Sequence, residues 1–198
     1  MNSETANVPL AEVASGHEGL EWLELYSVSK SFNDPGARLG ALVGTKDFVE
    51  DFVLVKGNTD SGPVPSVMAA YGEFLSKRDE SKAALGEIRS LYERRLAYVV
   101  PKLTAAGLRP ACQADAGFFT LWQVPTSVFG RTLPAQGRAE AFNRAVALKT
   151  GIVGVHFTGA DAAMSPQPLI RYAVCADVLN AAFQKRFEEG LAILAPRY

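Results

Sequence analysis

Two short apolar runs on either side of a turn constrain this chain most. Residues 21–29 read EWLELYSVS and residues 39–44 read LGALVG, and between them lies KSFNDPGAR. Asn33-Asp34-Pro35-Gly36 in that connection is strong turn chemistry. In the first run Trp22, Leu23, Leu25, Tyr26 and Val28 leave little alternation of polar and apolar residues. Runs this short and this continuous suit strands covered on both faces, as in an α/β sheet.

Helical signals follow. Thr45 is placed to N-cap a helix to about Val55, with Asp47 favourable in its first turn. Residues 57–65 are rich in Gly and Pro and read as a loop, followed by a helix over 66–75. From Asp79 to Ala106, Ile88, Leu91, Tyr92, Leu96, Val99 and Leu103 recur at three- and four-residue steps, which predicts one long helix ended by Gly107. GFFTLWQV at 117–124 and LIRYAV at 169–174 read as strands, with 125–138 a loop between a strand and a helix over 138–150. A last helix is expected over 177–194, capped by Asp177, with Val178, Ala181, Ala182, Phe183, Phe187 and Leu191 facing inward. The element order predicts a mixed α/β fold.

The chain has 198 residues, 48% of them hydrophobic, enough for one domain and a fraction at about 150 residues per domain. With 20 Lys+Arg against 21 Asp+Glu, it is not a generally basic nucleic-acid binder. Aromatics at 10% and charged residues at 21% exclude a disordered chain. Cys112 and Cys175, with only His17 and His156 for company, make neither a disulfide framework nor a zinc spacing; they are expected to be buried, in a reducing compartment. Glu4, Glu12 and Glu18 interrupt any signal-peptide core, and no apolar run approaches the ~20 residues of a membrane span. The expectation is a soluble, cytoplasmic protein without membrane or nucleic-acid partners.

The chemistry concentrates at Ser27-Val28-Ser29-Lys30, followed by Phe32, Pro35-Gly36, Arg38 and Gly40. A lysine just past a strand end stands where α/β folds bind ligands. Hydroxyls before it and a guanidinium after it are what a phosphate dianion needs. Gly36 and Gly40 allow close backbone approach. A primary amine beside bound phosphate suits covalent capture of a phosphorylated aldehyde. On spacing alone, Lys30 and Arg38 also read as solvated loop cations, and Arg171 as an ordinary strand arginine.

The whole string SVSKSFNDPGARLGALVG resembles the lysine segment of the class I/II aminotransferases, the fold-type I pyridoxal-phosphate enzymes. The resemblance implies pyridoxal 5'-phosphate as cofactor. It implies Lys30 as the catalytic lysine that binds the cofactor and shuttles the proton, with Ser27 and Arg38 on the phosphate and Ser29 beside them. Tyr92-x-x-Arg95 is similar to the family helix leading into the small domain, and Ala116-Gly117-Phe118-Phe119-x-Leu-Trp122 to its small-domain strand. Leu169-Ile170-Arg171-Tyr172-Ala173 is similar to the segment whose arginine grips the substrate α-carboxylate, so Arg171 is expected to bind substrate. Val153-Gly154-Val155-His156-Phe157 keeps the family's Gly and Phe and loses its Pro, which leaves His156 as a substrate contact or a structural histidine. Residues 58–62 fall where the family sends a segment towards the partner subunit's site.

The resemblance covers nearly all of the chain from about Glu21, and it corresponds to the C-terminal half of the enzyme. The half of the family fold ahead of the lysine segment carries most of the large-domain sheet, a glycine-rich phosphate turn, an aromatic over the ring and the aspartate on the pyridine nitrogen. The implied layout is a loose lead-in over 1–20, a remnant of the cofactor-binding domain over 21–78, and a linking helix with a small α+β domain over 79–198. The implied function is amino transfer between an amino acid and a 2-oxo acid in a homodimer. The alternatives are a catalytically incompetent fragment or subunit needing a separate N-terminal half, and a related lyase or decarboxylase sharing the lysine segment. Residues 1–45, short of sheet neighbours, are expected to be poorly ordered or to pair with another copy.

Overall fold

The computed structural model describes residues 8–60, 62–157 and 167–198. It is a mixed α/β chain of two compact units that divide within one long helix, with residues to Ile88 in the N-terminal unit and Arg89–Tyr198 in the C-terminal unit.

In the N-terminal unit, helix α1 (Leu10–Ala14) precedes strand β1 (Leu23–Ser27), the single turn α2 (Val28–Ser31) and strand β2 (Gly40–Gly44). β1 and β2 pair antiparallel from Leu23↔Gly44 to Ser27↔Gly40. The expected cover on both faces is not found among the described residues: Leu25 is 70% exposed and Val43 50%. Helix α3 (Lys46–Thr59) runs past the expected end near Val55 and takes in Gly57-Asn58-Thr59, so the expected loop begins only at Asp60. Asn58 and Thr59 side chains bond the carbonyls of Leu54 and Val55, which satisfies the last turn from within. Thr45 precedes α3 but makes no side-chain cap; its hydroxyl faces the Trp22 carbonyl at 3.5 Å. Helix α4 (Pro65–Ser76) lies close to its expected bounds.

Helix α5 (Arg78–Ala105) is the long helix of the periodic pattern. Gly107, at φ +90°, ends it: its N–H bonds Thr104 while Leu108 N–H bonds Leu103, a full Schellman closure with Leu103 and Leu108 both buried.

The C-terminal unit holds the core. Strands β3 (Phe119–Gln123), β6 (Val155–Phe157) and β7 (Leu169–Ala173) form an antiparallel sheet in the order β3-β7-β6. Trp122, Val124, Ile170, Tyr172 and Val174 pack with Leu96, Val99 and Leu103 of α5, with Phe142 and Val146 of α6 (Arg138–Thr150), and with Phe187 and Leu191 of α7 (Ala181–Ala192).

Four local expectations are corrected here. The 125–138 loop contains a hairpin, β4 (Ser127–Val128) with β5 (Arg131–Thr132), turned by Phe129 and Gly130, both at positive φ. The 153–157 segment, which the family resemblance implies to be a loop, enters a strand, β6. Helix α7 is capped by the Asn180 side chain, not Asp177, and Ala181 and Ala182 are exposed. Cys112 and Cys175 are both exposed, not buried. Among the described residues no helix is long and apolar enough to cross a membrane, and no cluster of side chains could hold a metal.

Candidate active site

The β1–β2 register decides what stands beside Lys30. Ser27, the last residue of β1, lies opposite Gly40, and Val28 N–H bonds the Leu39 carbonyl at 3.3 Å. Ser27, Ser29, Lys30 and Arg38 therefore share one end of the ribbon. Ser27 caps α2 by accepting from Ser29 N–H at 3.2 Å, which leaves its own hydroxyl hydrogen to donate outward. Ser29 takes part here through its backbone. Lys30 and Arg38 are both exposed.

Arg38 adopts the left-handed conformation, φ 50° and ψ 39°, as does Asn33 at φ 54°. For a non-glycine residue this costs about 1–2 kcal/mol, and such outliers cluster at functional sites. One guanidinium nitrogen, Nη1, donates to the Pro35 carbonyl at 3.0 Å. That bond orients the group and leaves other donors for an anion. The glycines behave unequally. A Cβ on Gly40 would stand 2.7 Å from the Tyr26 carbonyl oxygen, so the ribbon needs a glycine there. At Gly36 the nearest atom would be at 3.7 Å, an ordinary contact, so the close approach expected of Gly36 is not required.

The turn is braced by residues that sequence reasoning did not single out. Asp34 accepts from Ala37 N–H through Oδ1 and from the Tyr71 hydroxyl of α4, at 2.8 Å, through Oδ2. Phe32 meets Phe74 edge-on at 5.2 Å, with Tyr71 alongside. The available signal was weak: aromatic residues at Tyr71 and Phe74, three apart on one helix, with nothing local to pack on. Burial, followed by the bond to Asp34, raises the Tyr71 phenol from 10.0 to about 12. The folded state keeps a proton that the unfolded chain releases above pH 10. The stability this provides is whole below pH 10 and is lost as pH rises through about 12. The difference between absorbance titrations of wild type and Tyr71→Phe should isolate a phenolate transition near pH 12. A difference transition near pH 10 would contradict the brace.

Arg171 lies in the other unit, at the centre of β7, opposite Leu121 of β3 and Val155 of β6. Its guanidinium stacks 4.1 Å from the Phe119 ring centroid and 5.6 Å from that of Phe157. It lines an open hollow of about 550 Å³ with Phe119, Leu121, Phe157, Leu169 and Cys112. No hydrogen bond or ion pair to a described residue occupies the guanidinium edge, so it can take a carboxylate in bidentate fashion. His156 pairs with Ile170, on the sheet face opposite Arg171, and its Nδ1 lies 3.3 Å from Asn143 Nδ2. The placement makes His156 part of the α6–β6 junction. Ser27, Ser29, Lys30 and Arg38 are thus brought together, and Arg171 belongs to a separate constellation.

Comparison with known proteins adds an independent line. The family model described as aminotransferase class I and II matches residues 2–182. An LL-diaminopimelate aminotransferase of Nitratidesulfovibrio vulgaris is 33% identical over 132 residues, 66% of this chain and 31% of the relative. An LL-diaminopimelate aminotransferase of Methanocaldococcus jannaschii is 33% identical over 108 residues, 54% of this chain and 25% of the relative. Among solved structures, an aspartate aminotransferase variant of Thermus thermophilus superposes with TM-score 0.68 at 22% identity, over 87% of this chain and 41% of the other. The N-succinyldiaminopimelate aminotransferase of Mycobacterium tuberculosis gives TM-score 0.69 at 18% identity, over 96% and 45%. The chain spans about a third of the length of its curated relatives.

Proposed function

The chain belongs to the class I and II aminotransferase family, and on that premise we propose that it carries the lysine and the substrate-carboxylate arginine of a pyridoxal-phosphate-dependent aminotransferase. The observation that supports the reading is the β1–β2 register, which sets Ser27, Lys30 and the left-handed Arg38 in the segments that meet at one end of the ribbon. This donor set fits the phosphate and the aldehyde of pyridoxal 5'-phosphate.

Ser27 and Arg38 would bind the phosphate, by a neutral and a charged donor respectively. Lys30 Nζ would hold the cofactor and then move the proton on and off the α-carbon of the amino acid. Arg171 would take the α-carboxylate and so orient the α-carbon. Pyridoxal phosphate, when bound, supplies the electron sink for negative charge at that carbon. The substrates are an amino acid and a 2-oxo acid. The sequence relatives' activity makes a diaminodicarboxylate such as LL-diaminopimelate the first donor to test.

The remaining groups, an acid for the ring nitrogen and an aromatic over the ring, have to come from polypeptide outside these 198 residues. That polypeptide is contiguous with this segment or is a separate chain, and the same apolar strands invite pairing with a second copy. The bare β1–β2 faces support such a completion. In our reading the 198 residues bind cofactor weakly by themselves and turn over only when complemented.

The test is to add pyridoxal phosphate to the purified chain, reduce with borohydride, and map the label by peptide mass. Label concentrated on Lys30 is expected. Label spread evenly over Lys46, Lys56, Lys77 and Lys82 would remove the assignment.

A further inference from the structure

One cavity of the C-terminal unit is unrelated to the groups assigned above. About 710 Å³ in volume, it opens between α5, the α6–β6 connection and α7. Its walls are apolar: Val99, Leu103, Ile152, Val178, Phe183 and Phe187. Three polar side chains interrupt them, and the Thr150 hydroxyl is already engaged by the Val146 carbonyl and the Ile152 N–H. Tyr172 lines the cavity and is 6% exposed, yet its hydroxyl makes no hydrogen bond to any described residue. Its ring lies across Gly154, its cross-strand neighbour beside β6. Arg186 on α7 stands exposed at the cavity wall without an ion pair to a described residue, and no acid lines the space.

The Tyr172 ring is buried while its hydroxyl bonds no described residue, so the O–H is open to a ligand acceptor. The phenol shares a largely apolar, ligand-sized space with one cation that has no ion pair to a described residue. We propose that this cavity binds a medium-chain monocarboxylate. The alkyl tail lies among Leu103, Ile152, Phe183 and Phe187, and the carboxylate takes the Tyr172 O–H and the Arg186 guanidinium. Charge complementarity selects a carboxylate over a neutral tail, and the lining selects an unbranched alkyl chain over a sugar or nucleotide. The site lies on the sheet face opposite Arg171, so it is separate from the substrate carboxylate position.

The test is calorimetric titration of the full chain with octanoate, decanoate and decanol. Saturable decanoate binding is expected, about fourfold tighter for each methylene added from octanoate. Decanol should bind at least about tenfold more weakly, and Arg186→Ala and Tyr172→Phe should each weaken decanoate by about tenfold. Both are mild changes, and an unchanged thermal midpoint in each separates lost binding from lost fold. Ala182→Trp, at an exposed wall position, should block the cavity. Decanoate binding that survives Ala182→Trp would place it on another apolar surface and overturn the proposal. Equal affinity for decanol and decanoate would do the same, and would indicate a seat for apolar side chains of another polypeptide. Absence of saturable binding overturns it outright.

Discussion

Replacing Lys30 with alanine is expected to lower transamination by about 10⁴-fold in an active assembly that contains this chain, the upper range of what one positioned proton-transfer group contributes. The borohydride-fixed label on the peptide around residue 30 should vanish with it. The fold should not change. Lys30 is exposed on a one-turn helix whose buried anchor is Val28, and surface substitutions of this kind stay within about 0.5 kcal/mol. Lys30→Arg is the sharper control. It keeps the positive charge beside the phosphate donors, but a guanidinium does not give up its proton near neutral pH. If the amine matters for proton transfer and covalent capture, Lys30→Arg is as inactive as Lys30→Ala. If Lys30→Arg retains most of the activity, Lys30 only balances charge, and the catalytic lysine has to be sought elsewhere. Arg38→Ala separates the roles: it should weaken cofactor affinity and leave the label, at saturating cofactor, on Lys30.

How much of this could be read beforehand differs between the units for a physical reason. The long helix announced itself because one face repeats apolar residues over many turns and Gly107 closes it with a left-handed residue. The strands bearing Trp122 and Ile170 were equally plain, since their core packing lies within the same unit. The hairpin at 127–132 was missed because its turn uses Phe129 beside Gly130, and a phenylalanine at positive φ carries no turn signature. In the N-terminal unit the apolar runs were read correctly as strands but their surroundings were not. A continuous apolar run reports what a strand is suited to be covered by, and the described residues do not supply that cover to Leu25 or Val43. The site followed the same division. The lysine motif is local and legible as a string, whereas the Asp34–Tyr71 brace and the Phe119–Arg171–Phe157 stack depend on partners far away in sequence.

Gly154 joins the stability of the C-terminal unit to the position of Arg171, and Gly154→Ala tests that junction. A Cβ there would come within 2.8 Å of Ile170 Cγ1, 2.8 Å of Tyr172 Cε1 and 2.9 Å of the Arg171 carbonyl oxygen. Two of these belong to buried core side chains and the third is backbone, so no flexible tip can move aside. Strand β7 itself has to shift. Overpacking of this kind typically costs 1–3 kcal/mol, and we expect about 2–3 kcal/mol here because Ile170 is wholly buried. The displaced strand carries Arg171, so the KM for the amino donor should rise while kcat falls less. Asn143→Ala supplies the contrast. Asn143 clamps the same glycine without crowding it, accepting from Gly154 N–H at 3.0 Å and donating to its carbonyl at 2.8 Å. Its loss should cost about 1–2 kcal/mol by hydrogen bonding alone and leave β7 in register. If Gly154→Ala melts at the wild-type temperature with an unchanged KM, then β6, with Phe157, is free to move away from β7, and Arg171 is held by β3 and its Phe119 ring alone.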